Sequence, residues 1–467
     1  NRLVELKIKN YRGFSSEQSI NFAQPNGKDG SGLTIIVGPN NTGKTSIIEA
    51  LTITADKRIG KEERHRNADP EIAIKSDVAT TIFTNIDGGS QIKAKDGEGL
   101  KPNHGLNFEL ITSRRYWQSE TGGEYTRDNF IYNTSKLSAR GNNQQADVAA
   151  LLKGINKDIT QKKNFTSLVQ KINTNFTLWT IDTDDNGTDY VKYLTNNRKE
   201  HKTKFLGDGL ISVMRICAHF IADKAESVII IDEPELSLHP NAQKKLARLI
   251  SELSRKRQVI LCTHSPHFVN FSDYLNGAEV VRLNKPEDKE CIVSQIGRGH
   301  EAIISGLISD WHKPALLDYV AKELLFSERV LFVEGQEDVA LIKKFFDDQG
   351  KKIEFDIFGY GVGGYGNMEL FLTFAKELQL ERVVALFDAS VPTFISLKSK
   401  FESRTIKFFE LETDDIRDKN GCGILDCPFK NKIGAFSEGG QLKRDKAAKS
   451  FYQIMIDIKH FLDNKYI

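Results

Sequence analysis

VGPNNTGKTS, residues Val37–Ser46, is the stretch on which the reading of this chain turns. It fits GxxxxGK[ST] with Gly38, Gly43, Lys44 and Thr45, follows the apolar run LTIIV directly, and opens the helix-like stretch KTSIIEALTI. Strand, glycine-bearing loop and helix in that order make a phosphate cradle. Glycines let backbone amides close round a phosphate, the helix N-terminus adds positive potential, Lys44 reaches the terminal phosphates, and the Thr45 hydroxyl can ligand Mg²⁺. Asn40, Asn41 and Ser46 complete the stretch expected to hold ATP.

Far downstream the chain reads SVIIIDEPELSLHP and then QVILCTHSPH. The first of these ends a strand, Val228 to Ile231, with two carboxylates suited to different tasks. Asp232 can hold the Mg²⁺ shell while Glu233 polarises an attacking water. His264, after the next apolar strand, can contact a γ-phosphate. An acidic pair after a strand can be a solvated strand end, and a lone histidine is often structural; the phosphate loop turns the combination into an expected split ATPase site.

These residues resemble the ABC-type heads of the SMC, RecF and OLD (overcoming lysogenization defect) ATPases. The resemblance includes LVELKIKNYRGF at the N-terminus, with Arg12, Gly13 and Phe14, and DEPELSLHPNAQKKL, similar to the segment that crosses the dimer interface of such heads. It implies that ATP is sandwiched between the phosphate loop of one subunit and a signature helix of another. FLGDGLISVMRICAHF, Phe205 to Phe220, is the candidate signature; it departs from LSGGQ and keeps Gly207 and Gly209 around Asp208. Its bland alternative is a glycine turn before a buried helix. A metal-sensing glutamine is expected between the lobes, and Gln118 is a weak candidate for it.

A chain of 467 residues predicts about three domains, and 39% hydrophobic with 27% charged residues suffices for a packed core. The net charge of +2 gives no bulk argument for nucleic acid, so any such binding must come from local patches. The basic segments 56–67, 196–204 and 254–258 read equally well as solvated faces. Five cysteines lack paired zinc spacing; Cys422 and Cys427 have no second pair or nearby histidine to complete a tetrahedron. A reducing cytoplasm fits that usage, and with no signal peptide or membrane-length apolar run the expectation is a soluble cytoplasmic protein without membrane contact.

Residues 76–112 read as short antiparallel strands, SDVATTIFTNI, SQIKAKD and NFELITS. The polar stretch that follows has helical segments but no sustained heptads, which excludes long coiled-coil arms. From Glu328 apolar strands alternate with amphipathic helices, which predicts a parallel sheet covered on both faces. Ligands of such sheets gather at the carboxyl ends of the strands, where Glu334 follows LFV and Asp388 follows ALF. Asp338 lies one helical turn beyond Glu334. Three carboxylates so placed repel unless a cation joins them, so Mg²⁺ or Mn²⁺ and phosphoryl displacement are the matching chemistry. The competing reading is a Rossmann-like domain whose acids cap helices and strands.

This segment resembles a TOPRIM domain, through VEGQED, the turn GYGVGGYGN and Asp388 of FDAS. An ATPase head followed by TOPRIM is the OLD arrangement, so the resemblance spans nearly the whole chain. One departure is that the family's DxD is Asp388, Ala389, Ser390 here; Ser390 is a weak ligand, and Asp414 or Asp415 could compensate. Lys443 and Arg444 could meet a scissile phosphate but are common surface residues.

The expected fold is thus α/β: an ABC-type ATPase head with an antiparallel β subdomain and a helical insert, then a TOPRIM domain. Its expected parts are an N-terminal lobe at 1–126, a helical, dimer-forming insert at 127–204, a C-terminal lobe at 205–300, a helical linker at 301–327, and a TOPRIM domain at 328–467. The resemblance implies an ATP-regulated DNA endonuclease, acting on DNA or another nucleic acid as a homodimer or larger homo-oligomer. It also implies a role in bacterial anti-phage defence with a possible partner protein. In that reading Glu233, His264, Glu334 and Asp388 are catalytic; Thr45 and Asp232 hold metal at the nucleotide, and Glu334, Asp338 and Asp388 hold it in the TOPRIM domain. The rival class is an ATPase sensor or scaffold whose TOPRIM-like domain has lost catalysis, which Ser390 favours. A RecF-type clamp is a weaker third, since it needs no carboxylate domain.

Overall fold

Leu33–Val37 is buried along its whole length, as a strand covered on both faces must be. The computed structural model describes residues 1–53, 68–85, 92–95, 106–112, 151–183, 189–202, 208–222, 227–285, 290–299, 321–359, 361–419 and 431–463. Its chain divides into two compact units, Asn1–Gln295 and Ile296–Ile467.

In the first unit, β1 (Leu3–Lys9) and β2 (Gln18–Asn21) join β4 (Glu71–Ser76), β5 (Thr80–Asn85) and β6 (Ile92–Lys95) in an antiparallel sheet of order β2-β1-β4-β5-β6. The other large sheet is built round β3 (Leu33–Val37). It also contains β7 (Asn107–Ile111), β11 (Ser227–Asp232), β12 (Val259–Thr263), β13 (Glu279–Asn284) and β14 (Ile292–Gln295), in the order β14-β13-β3-β12-β11-β7. All its pairings are parallel except β13 with β14. This corrects one expectation: NFELITS is not a third antiparallel strand, because β7 lies parallel beside β11. Its apolar residues Leu110 and Ile111 are buried there, and a run this short carries no sign of its neighbour's direction.

Helix α1 (Lys44–Leu51) follows the phosphate loop. The segment read as a helical insert holds α2 (Ile159–Ile172), capped by Asp158 through the amides of Thr160 and Gln161. It also holds a sheet, β8 (Trp179–Thr183), β9 (Asp189–Leu194) and β10 (Glu200–Lys202), in the order β10-β9-β8. That sheet was missed because its period-two apolar residues, among them Trp179, Val191 and Tyr193, are few and set among asparagines and lysines. Helix α3 (Asp208–Ala222) and helix α4 (Pro240–Leu253) also belong to this half.

The second unit has a four-stranded parallel sheet of order β16-β15-β17-β18, made of β15 (Arg329–Phe332), β16 (Asp356–Ile357), β17 (Arg382–Phe387) and β18 (Ile406–Glu410). Leu331, Val384 and Leu386 share one core cluster with Ile342 and Phe345 of α5 (Gln336–Asp348) and with Phe451, Met455 and Ile458 of a C-terminal helix, Lys446–Asp463. The alternate residues make aromatic pairs: Phe332 with Phe371 of α6 (Met368–Glu377), and Phe387 with Phe394 of α7 (Phe394–Phe401). Each fully buried aromatic side chain contributes about 1.5–3 kcal/mol. Apolar packing on both faces therefore holds this sheet, and the acids at its strand ends are not needed for that purpose.

Candidate functional site

The three distant strings of the first unit meet because their strands are neighbours running the same way. Val37 of β3 pairs with Thr263 of β12, and Cys262 of β12 pairs with Asp232 of β11. The phosphate loop, the Asp232–Glu233 pair and His264 therefore leave adjacent strands at the same end of the sheet.

Lys44 is 7% exposed, and its Nζ donates to the carbonyls of Gly38 (2.8 Å) and Pro39 (2.7 Å). Burial lowers its pKa, while Cys262, Glu233, Asp232 and Glu235 act in the opposite sense. The ammonium thus rests on its own loop, with acids close enough to feel its charge. Glu233 is buried, sits at φ 50 and donates its N–H to the Cys262 carbonyl at 2.8 Å. That left-handed backbone is costly for a glutamate and fixes where the side chain leaves the strand. Its Oε1 lies 3.5 Å from His264 Nε2. The YRGF turn belongs to the same end: Arg12 Nη1 is 2.6 Å from the buried Glu49 of α1, and Tyr11 and Phe14 are buried. Asn40, Asn41, Thr45 and Ser46 stand in or directly after the loop.

The candidate signature divides. Gly207, like Gln118, lies outside the described residues. Gly209 opens α3, and a Cβ there would stand 2.5 Å from the Ser237 carbonyl oxygen. Glycine at 209 is thus required by packing within the chain, whatever it does toward a nucleotide. Sequence reasoning missed Glu235, whose carboxylate accepts from the His264 N–H (2.6 Å) and the Thr263 hydroxyl (2.9 Å). Its place beyond a strand end in DEPEL was the available signal.

In the second unit, Glu334 and Asp388 follow β15 and β17, which pair directly. The Asp388 N–H donates to Glu334 Oε1 at 3.1 Å. The turn after β16 closes over them: the Gly364 N–H donates to the Glu334 carbonyl at 2.8 Å, and Gly361, at φ 76, has no room for a Cβ against the Gly335 backbone. Burial, and then Asp338, Glu334 and Asp415, push Asp388 up to about 8. Burial likewise raises Asp338 to about 6, and raises Glu334. These are acids that repel one another in a poorly solvated place.

The expected metal set of Glu334, Asp338 and Asp388 is not a ready-made cage, however. Among the described residues no three His, Cys, Asp or Glu side chains converge closely enough to hold an ion. Asp338 turns back to accept the Gly335 N–H at 2.8 Å, capping its own helix. Asp415 is buried and held by Lys419 (2.8 Å) and Lys432 (3.1 Å), and Glu337, paired with Arg417 and Lys419, falls to about 2. Ser390 donates its N–H to Glu410 Oε1 at 2.9 Å. Glu410 ends β18 at the same sheet end as Glu334 and Asp388, a position the strand-end rule should have flagged. All these donors are oxygens, which suits Mg²⁺ or Mn²⁺; Glu334 and Asp388 fit such an ion best, and Asp338 would have to release Gly335 to join them. Lys443 pairs with Asp418 and Asp445.

A phosphate loop, an acid-ended strand and a histidine-ended strand side by side define an ABC-type ATPase head. A parallel sheet with glutamate and aspartate on neighbouring strand ends is the TOPRIM arrangement. Comparison with known proteins agrees in both halves. Residues 126–270 match the family described as "AAA domain, putative AbiEii toxin, Type IV TA system", and residues 1–55 match an AAA domain family. Residues 325–389 match the overcoming lysogenization defect protein-like TOPRIM domain. Similar proteins include the OLD nuclease of Thermus scotoductus, 31% identical over 33% of this chain and 30% of that protein. The Septu protein PtuA of Bacillus thuringiensis is 25% identical over 63% of this chain and 78% of that protein. The endonuclease GajA of Bacillus cereus strain VD045 is 24% identical over 53% of this chain and 42% of that protein. The chain thus spans under a third of the OLD nuclease and under half of GajA. It joins an AAA-type ATPase domain to an OLD-like TOPRIM domain, the pairing found in the OLD ATPase–TOPRIM proteins.

Proposed function

We propose that this chain is an ATP-hydrolysing, OLD-like DNA endonuclease with metal-dependent phosphodiester cleavage, acting as a bacterial anti-phage effector in the cytoplasm. The observation that carries the nuclease half is the Glu334–Asp388 contact, with Asp388 pushed up to about 8 by burial and neighbouring acids. A bound divalent ion would supply charge neutralisation and polarise a phosphoryl oxygen. Glu334 and Asp388 would hold it, with Asp338 as a further ligand.

In the ATPase half, residues Gly38, Asn40, Asn41, Gly43, Lys44, Thr45 and Ser46 cradle the phosphates. Lys44 exchanges its two carbonyl partners for phosphate oxygens. Thr45 and Asp232 would hold the nucleotide's Mg²⁺, Glu233 would accept the proton of the attacking water, and His264 would donate to the γ-phosphate. Gly207 and Gly209 belong to the signature offered to a second subunit, so the working form is a homodimer or larger. Dimer contacts fall to the insert at 127–204, between lobes at 1–126 and 205–300. A linker at 301–327 leads to the nuclease domain at 328–467.

A second reading has its own observation. Ser390 replaces an acid, and Asp415 is already neutralised by two lysines, which favours a TOPRIM-like domain that binds a defence partner without cutting. Incubating the protein with plasmid DNA, with and without Mg²⁺ or Mn²⁺ and with ATP or a non-hydrolysable analogue, separates the two. Cleavage that needs the metal supports the nuclease; intact plasmid in every condition, alongside ATP hydrolysis, selects the partner-binding form.

A further inference from the structure

We propose that Glu235 is a positioning residue for ATP hydrolysis: its carboxylate ties the His264 turn to the segment that follows Glu233, setting the imidazole against the base. The inference rests on the hydrolase reading above.

The carboxylate bridges two strand ends. Oε1 accepts from the His264 N–H at 2.6 Å, and Oε2 accepts from the Thr263 hydroxyl at 2.9 Å. The Thr263 oxygen in turn accepts the Ser265 N–H at 2.9 Å, so three consecutive residues depend on one side chain. A second strap runs in parallel: the Ser265 hydroxyl donates to Gln243 Oε1 at 2.7 Å, and Gln243 Nε2 donates to the Leu238 carbonyl at 2.9 Å. Both straps fasten the turn after β12 to the loop after β11.

Their effect falls on the 3.5 Å separation between His264 Nε2 and Glu233 Oε1. Glu233 is already fixed by its left-handed backbone and its bond to the Cys262 carbonyl. His264 has no such backbone constraint of its own, and a displacement of an ångström in a catalytic pair costs about a hundredfold in rate. Charge is an expensive way to hold a loop, because burial raises the pKa of Glu235 and Glu233 adds a like charge. Here the acceptor must meet a backbone N–H and a hydroxyl at once, which a carboxylate does with both oxygens. The loop that Glu235 anchors runs on through Ser237, against which Gly209 of α3 packs.

The test is steady-state ATP hydrolysis by the full chain. Glu235→Ala is expected to lower kcat roughly 10–100-fold, as lost support of a ligand or base commonly does, with KM for ATP within about twofold. Glu235→Gln should recover most of the rate, since its amide can accept from His264 and donate to the Thr263 oxygen. Thr263→Val, which removes both bonds of the Thr263 hydroxyl but leaves the Glu235–His264 bond and keeps the shape, should give an intermediate loss and serves if the alanine variant does not fold. In a His264→Ala background, Glu235→Ala should add less than about threefold, because the two act as one unit. An unchanged kcat in Glu235→Ala, or a loss that multiplies fully with that of His264→Ala, overturns the inference alone. A wild-type chain that does not turn over ATP overturns the hydrolase reading, and this inference with it.

Discussion

The two acid-bearing sheet ends handle charge in opposite ways. In the first unit a cation is built in: Lys44 lies on its own loop with Asp232, Glu233 and Glu235 near enough to oppose the loss of its proton. In the second, Glu334, Asp338 and Asp388 lie near enough to raise one another, and Asp388 is pushed up to about 8 although Lys432 acts to lower it. The first site is composed before its ligand arrives and needs Lys44 only to change partners. The second holds protons where a metal would sit, so ion and proton compete there.

The sharpest way to break this contrast is to remove the base from the composed site. Glu233→Gln should keep ATP binding, since Lys44 and the loop are untouched, and lose hydrolysis by roughly 10²–10⁴-fold. A phosphate-release assay showing the wild-type rate would place the base elsewhere. Next in size, Asp388→Ala should cut metal-dependent DNA cleavage by at least about a hundredfold while ATP hydrolysis survives. Cleavage that persists in that variant would mean that the ion sits on other residues.

The competition between proton and ion gives a smaller, pH-dependent effect. The folded pKa of Asp388 is raised from 3.8 to about 8, so the folded chain holds a proton that the unfolded chain releases. That contribution to stability is complete below about pH 4 and is lost as pH rises through about 8. Melting of the metal-free protein should therefore occur at lower temperature at pH 8 than at pH 6. Mn²⁺ should raise the melting temperature more at pH 8, with affinity growing about tenfold per pH unit as one proton is displaced. Equal gains at both pH values would count against Asp388 as a ligand. Smallest of all, Ser390→Asp should lower the half-saturating Mg²⁺ for cleavage by a few fold, by adding a charged oxygen. The added acid meets Glu410, which already accepts the residue-390 N–H, so a rise instead would show that crowding outweighs ligation.

The same contrast explains what could be read in advance. The phosphate loop is one contiguous string whose residue types are each demanded by a phosphate, and Asp232, Glu233 and His264 each end an apolar run. Neighbouring parallel strands then bring the strings together. The TOPRIM sheet was legible for the same reason, since fully apolar strands between amphipathic helices leave few alternatives. What escaped was partnership across the fold. That NFELI lies beside β11, that Glu235 reaches over to His264, and that Lys419 and Lys432 turn toward Asp415 depend on tertiary neighbours. The small sheet Trp179–Lys202 escaped because its apolar alternation is too sparse against a polar background.

The strand order of the large sheet also sets when it can form. β3 is made well before either of its neighbours: Leu33 pairs with Val259, and Thr34 with Glu279. β7 waits likewise for β11, since Asn107 pairs with Ser227. Until those strands leave the ribosome, LTIIV has two open edges, the condition in which apolar strands pair with the wrong chain. Closing such long loops slows folding more than it weakens the product. The price of a nucleotide site split between early and late segments is a nascent chain that must be shielded until β13 is made.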